Sequence, residues 1–158
     1  MRHSYAASNN PAWSDKERPL TDHGRELCRK TAEHLKDLNV QRIIFSSATR
    51  TTETAELVAA AFPQTPTMNK SDDLYLAQPG VYRSAADSAA LADEDVVLIV
   101  GHNPGIASLI GNMANESLAI FPGCVAIFSL KGNDWSPHTW DDQPPLLTGF
   151  ISEGERRR

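Results

Sequence analysis

Five consecutive apolar residues, four of them β-branched, constrain this chain more than any other segment: Val96-Val97-Leu98-Ile99-Val100. A run with no polar face must be covered on both sides, which is the situation of a central strand in a parallel sheet flanked by helices. At five residues it is far too short to cross a bilayer. The rest of the chain is therefore expected to supply helices for two faces of a sheet.

The surrounding pattern alternates as that requires. Leu27, Thr31, His34, Leu35 and Leu38 fall at helical spacing between Gly24 and Leu38, after a Thr21-Asp22 start signal and before Asn39. Gln41 to Ser46 reads as a short buried strand, and Ala48 to Phe62 returns to helical periodicity until Pro63 closes it. Leu74 to Leu76 and the region around Pro79 lead into a helix from Val81 to Leu91, then into the apolar strand. Asn103 or Pro104 opens a helix reaching Met113, because proline suits the first helical turn. Strands are predicted over Cys124 to Leu130 and near Leu146 to Phe150, separated by an irregular stretch from Trp135 to Pro145. The expected fold class is α/β, a three-layer α/β/α arrangement around a mostly parallel sheet.

Length and charge exclude several function classes. With 158 residues and 41% hydrophobic content, one domain over 1–150 can bury a proper core, leaving 151–158 as an expected disordered tail. The Arg156-Arg157-Arg158 run reads as part of that solvated end. A net charge of -5 argues against binding a nucleic-acid backbone. Cys28 and Cys124 stand far apart without Cys-x-x-Cys spacing, so free thiols and a reducing cytoplasm are expected. His23, His34 and His138 lack metal-ligand spacing, and no metal or cofactor is expected.

Two histidines and two arginines stand out against this background. Arg2-His3 opens the chain, Arg50 ends Ser46-Ser47-Ala48-Thr49-Arg50 at a strand-to-helix junction, and His102 follows the apolar strand in Gly101-His102-Asn103-Pro104-Gly105. In open α/β sheets ligands bind beyond the carboxyl ends of the strands, where helix N-termini offer free N–H groups to anions. An imidazole can attack phosphorus and hold the phosphoryl group as an N–P bond, while guanidinium forks bind its non-bridging oxygens.

The order of these motifs resembles the histidine phosphatase superfamily. Arg18-Pro19-Leu20-Thr21-Asp22-His23-Gly24 resembles the "R-P-L-T-x-x-G" segment of its SixA-like phosphohistidine phosphatases. Ser46 to Ala55, Leu74-Tyr75-Leu76-Ala77, and Phe121-Pro122-Gly123-Cys124-Val125-Ala126 resemble further SixA-like segments. The resemblance runs from Arg2 to about Trp135. It implies His3 as nucleophile, with Arg2, Arg50 and His102 holding the phosphoryl oxygens; the chemistry needs a neutral His3 with its other ring nitrogen held. Ser4 and Arg18 are further candidates to bind the substrate, although Thr21 beside them is equally a helix cap. Ester phosphatases also need an acid to protonate the leaving oxygen. Asp72, Asp73 and Glu53 lie in the relevant stretch but read as loop and helix-surface charges, so an activated donor such as protein phosphohistidine is favoured.

The alternatives are a small-molecule phosphomonoesterase using Asp72 or Asp73 as acid, and a catalytically impaired phosphate- or phosphoprotein-binding module. The expected partners are a phosphorylated histidine protein or a small phosphate ester, with no nucleic acid or membrane, and the expected state is a monomer. Two departures from the family pattern carry expectations of their own. Ser4 replaces the glycine that follows the histidine in the family, which predicts a less comfortable backbone there or a hydroxyl that binds phosphate. The family also leads into Arg-His with an apolar strand, whereas Met1 directly precedes Arg2 here. That predicts a start placed at an internal methionine, or an impaired product with His3 on a mobile end.

Overall fold

The computed structural model describes residues 1–90, 96–130 and 143–158. A single 3-10 turn, Asp15–Glu17, precedes helix α1 (Asp22–Glu33). Strand β1 (Arg42–Ser46), helix α2 (Thr49–Ala59), strand β2 (Thr67–Ser71) and helix α3 (Pro79–Ala90) follow. Strand β3 (Val97–Val100) and helix α4 (Gly105–Ala114) lead to the hairpin strands β4 (Val125–Ser129), β5 (Leu146–Ser152) and β6 (Glu155–Arg156).

The apolar run forms β3, and β1 lies beside it in the parallel order β2-β1-β3, with Ile43 opposite Leu98 and Phe45 opposite Val100. Side chains alternate across a strand, and the core divides accordingly. Ile43, Phe45, Leu98 and Val100 pack with Ala32, Leu35, Ala55 and Val58 from the α1–α2 side. Ile44 packs with Leu74, Tyr82, Ile106 and Ile110 from the α3–α4 side. Helices thus cover both faces, as a strand without a polar side demands. The sheet is less uniformly parallel than expected, because β4-β5-β6 form a second, antiparallel sheet.

Several boundaries differ from the sequence reading for identifiable reasons. Helix α1 starts as expected, with the Thr21 hydroxyl accepting from the Gly24 N–H at 3.0 Å, but ends at Glu33. Leu35 and Leu38 still face the core through tight turns whose N–H groups reach back three residues, to Ala32 and Leu35. Strand β2 was not anticipated: Thr67-Met68-Asn69-Lys70-Ser71 is mostly polar because it is an edge, which natural sheets protect with charge. The expected disordered tail is instead ordered. Glu153 and Gly154, both at positive φ, make a two-residue turn that folds β6 onto β5, and Ile151 is fully buried. Arg158 pairs with Glu116 at 2.7 Å. Most of the irregular stretch, with His138, and Leu91 at the expected end of α3, lie outside the described residues.

Residues 1–3 form the seam between the two sheets. The Gly101 N–H donates to the Met1 carbonyl at 3.1 Å and the His3 N–H to the Gly101 carbonyl at 3.0 Å. On the other side, the Arg2 N–H donates to the Cys124 carbonyl and the Gly123 N–H to the His3 carbonyl, each at 3.0 Å. The expectation of a nucleophile on a mobile end is therefore corrected: four main-chain hydrogen bonds pin this segment, and the Met1 side chain is buried in the α1–α2 core. Among the described residues, no helix is long and apolar enough to cross a membrane.

Candidate active site

The parallel sheet delivers its loops to one edge, and the sequence candidates meet there. His3 leaves the seam, Ser46 ends β1, Arg50 opens α2 and His102 follows β3. The His3 and His102 ring centres lie 5.2 Å apart. The Arg50 guanidinium is almost wholly buried and donates from Nε to His3 Nε2 at 3.3 Å.

That contact defines the state of His3. Its Nδ1 lies 2.7 Å from the Ser4 carbonyl oxygen, which can only accept, so Nδ1 carries the proton and Nε2 presents a lone pair. Burial, opposed by the Ser4 carbonyl and reinforced by Arg50, Arg2 and Arg18, lowers the His3 pKa to about 4. At neutral pH the imidazole is thus uncharged, with its free nitrogen facing a cation.

His102 is held by a different device. Its Nε2 lies 2.7 Å from the Ser46 hydroxyl, which itself accepts from the Ala48 N–H at 3.4 Å and is free to donate to the ring. This places the His102 proton on Nδ1, a buried atom without a hydrogen-bond partner among the described residues. Burial first, then His3 and Arg50, lower its pKa to about 3. The ring is thus neutral at pH 7, with its Nδ1–H open to an oxyanion. Its backbone N–H donates to the buried Tyr82 hydroxyl at 2.9 Å. A Cβ on Gly101 would lie 2.4 Å from the Tyr82 ring, so this glycine serves close approach rather than an unusual φ.

The remaining candidates divide. Arg2 donates from Nη1 to the Ile120 carbonyl at 2.9 Å, while its Nε is buried without a partner among the described residues. Arg18 donates to Asn9 at 2.8 Å and pairs with Asp15 at 3.3 Å, at the rim of the cluster. The Ser4 hydroxyl donates to the Gly24 carbonyl at 2.8 Å and its N–H to Thr54 at 3.1 Å, so this side chain ties the loop to α1 and α2 instead of offering a phosphate ligand. Its φ is not positive, and the expected discomfort is absent.

The candidate acids are occupied elsewhere. Asp72 is exposed and bound by Lys16 at 2.6 Å and by the Ser47 hydroxyl; Lys16 first and Ser47 second hold its carboxyl below the usual range. Asp73 lines a separate cleft of about 370 Å³ between α3 and the β1–β2 edge. Glu53 accepts from Arg25 and from the Leu20 N–H. The carboxylate that does reach the cluster is Asp15, which the sequence reading passed over. Its Oδ2 accepts from Arg50 Nη2 at 3.0 Å and from the Tyr75 hydroxyl at 2.6 Å, and its carbonyl accepts from Arg50 Nη1 at 2.6 Å. The Tyr75 ring in turn stands edge-on to His102, 5.5 Å between centres. The only signal in the sequence was the position of Asp15 three residues before Arg18. Among the described residues, no group of three His, Cys, Asp or Glu side chains is placed to hold a metal ion.

Residues 1–75 match the family model of the histidine phosphatase superfamily (branch 1). Solved structures share the fold across nearly the whole chain. A protein assigned as the phosphohistidine phosphatase SixA from Nakamurella multipartitia is 22% identical, with a TM-score of 0.81 over 96% of this chain and 92% of that one. The protein histidine phosphatase SixA complexed with tungstate is 20% identical, with a TM-score of 0.79 over 97% and 94%. The α-ribazole phosphatase from Shigella flexneri is 14% identical, with a TM-score of 0.62 over 97% and 95%. No curated protein sequence matches the chain. The three-layer α/β architecture is therefore that of the histidine phosphatases.

Proposed function

We propose that this chain, which has the histidine phosphatase fold, is a phosphatase working through a phosphohistidine at His3, with a phosphorylated histidine protein as its donor. The observation that carries the reading is the single contact between Arg50 Nε and His3 Nε2, with Nδ1 anchored on the Ser4 carbonyl. It puts a lone pair and a phosphate-binding cation at one point. The His3 Nε2 lone pair forms the N–P bond as the bond to the donor atom breaks and its electron pair leaves with the donor. Arg50, the Arg2 Nε–H and the His102 Nδ1–H donate to the three non-bridging oxygens. Water then attacks phosphorus, the electron pair of the N–P bond returns to His3 Nε2, and the proton from water passes to solvent.

The donor class follows from the acids. An ester must expel an alkoxide, which calls for a protonated carboxyl beside it. Asp72 and Asp15 are both held ionised by cations and hydroxyls, whereas a phosphoramidate can leave without such an acid. This favours protein phosphohistidine over a sugar phosphate. Two unpaired cysteines, Cys28 and Cys124, both buried, are consistent with a reducing cytoplasm. We further read the protein as a monomer.

Incubation with a radiolabelled phosphorylated histidine protein should leave an acid-labile, alkali-stable label on the chain and release phosphate, and His3→Ala should lose both. Faster turnover of sugar phosphates or p-nitrophenyl phosphate than of the phosphoprotein would support the ester reading instead. Phosphate binding without turnover of any donor would leave a binding module.

A further inference from the structure

Among the described residues, Asp15 is the carboxylate bonded directly to the phosphate-binding cations described above, and the steps derived so far give it no task. Arg50 bridges it to the nucleophile: the guanidinium offers Nε to His3 on the inner side and both terminal nitrogens to Asp15 on the outer side. The depth order is unambiguous. His3 is 9% exposed, whereas the Asp15 side chain is 46% exposed at the mouth. A donor entering from solvent therefore presents its phosphoryl group to His3 and its departing group to the region of Asp15.

Among the described residues, each side chain bonded to this carboxylate is a donor. Arg50 and Tyr75 serve Oδ2, and Arg18 faces Oδ1 at 3.3 Å from the same turn. Lys16, next in the chain, is taken by Asp72. The Tyr75 hydrogen bond first, and Arg50 after it, hold the Asp15 carboxyl below the usual range. Two carboxylate oxygens offer about four acceptor positions, and the described residues use three of them, leaving one for a ligand.

We propose that Asp15 is a specificity-determining residue that selects donors whose leaving group is a protonated nitrogen ring, by accepting a hydrogen bond from the ring N–H remote from phosphorus. The inference rests on the phosphohistidine reading and deepens it. A phosphorylated imidazole leaves well only when its other nitrogen is protonated, because the ring then departs neutral rather than as an anion. As His3 Nε2 forms its bond to phosphorus, the old P–N bond breaks and its electron pair settles on the departing nitrogen. That pair cancels the ring's positive charge, and the remote N–H stays where it is, on Asp15. No proton moves, so no acid is needed. The same fixed negative charge opposes a leaving alkoxide, which disfavours esters.

The test compares N-phosphoimidazole, at a pH where its remote nitrogen is protonated, with its analogue methylated on that nitrogen, which then carries the same charge, and with p-nitrophenyl phosphate as the ester. After subtraction of spontaneous hydrolysis, the unmodified protein should prefer the N–H donor in kcat/KM by at least about tenfold, the scale of one charge-assisted hydrogen bond. Asp15→Asn should shrink that preference to within about twofold, and should lower the ratio of N-phosphoimidazole to ester turnover by about tenfold or more. Ratios cancel any shared loss from a displaced Arg50. Equal turnover of the two imidazole donors by the unmodified protein would overturn the proposal even if Asp15→Asn does not fold, as would an undiminished preference in that variant. Failure of the underlying reading looks different: no labelled His3 and no turnover of either phosphorylated imidazole.

Discussion

The two sheets divide the labour of this molecule unequally. The parallel half, β2-β1-β3, feeds Ser46, Arg50, Tyr75 and His102 to one edge, because parallel strands all end on the same side. In the antiparallel half, β4-β5-β6, strand ends alternate, and among the described residues its approach to the site is through backbone groups just before β4, the Gly123 N–H and the carbonyls of Ile120 and Cys124. One half carries side chains of the candidate site, and the other braces the segment that bears Arg2 and His3. The difference teaches that here strand direction, more than burial, decides where chemistry collects.

Substitutions can break this division. The largest expected effect is on the parallel side: Arg50→Ala removes the cation from His3 and from the phosphoryl oxygens, and kcat should fall by about 10³-fold or more. A comparable loss from a β5 substitution would refute the division. Ile151→Ala, on the antiparallel side, should instead cost about 2–5 kcal/mol in denaturant unfolding, since this side chain is fully buried, while kcat per folded molecule changes less than about threefold.

Acid should act through the parallel half and the seam. The folded-state pKa values of His3 and His102, about 4 and about 3, lie below the ordinary 6.5, so between those values the unfolded chain binds more protons than the folded one. The stability these rings contribute is complete above pH 6.5 and is lost as pH falls toward 4 and then 3. The slope is at most about 1.4 kcal/mol per pH unit for each ring. Urea midpoints from pH 7 to 4 should fall less steeply in His102→Asn, and an unchanged slope would contradict the burial argument.

Ser46→Ala should leave His102 without its tautomer-fixing donor and lower kcat by about 10- to 100-fold. The Tm should also fall by a few degrees, because the buried His102 ring nitrogen loses its partner at a cost of about 1–3 kcal/mol. The smallest effect belongs to the antiparallel rim. Arg158→Ala breaks an exposed pair with Glu116 and should shift stability by less than about 0.5 kcal/mol, detectable as a small Tm change at low salt.

These contrasts follow how much of the molecule was legible beforehand. Strand β3 and helix α2 were plain because burial on two faces and helical periodicity leave direct traces in the residue pattern. Arg50 and His102 could be placed because each sits where a legible element begins or ends. Strand β2 left no such trace, since an edge strand with Asn69 and Lys70 need not alternate. The hairpin of β6 was hidden by its arginines, which look like a solvated end until Gly154 reverses the chain. Asp15 was illegible for a different reason. Its role arises from the approach of a short turn to α2, a contact 35 residues apart that no local pattern records.

The three-residue seam has one more consequence. Because His3 is bonded through its backbone to Gly101 on one flank and Gly123 on the other, its imidazole meets Arg50 only when both halves have docked. Its backbone joins the two halves as a keystone does, and on the proposed mechanism the nucleophile is in place only when that seam is made. On that mechanism, phosphoryl uptake by His3 reports an intact seam between the halves.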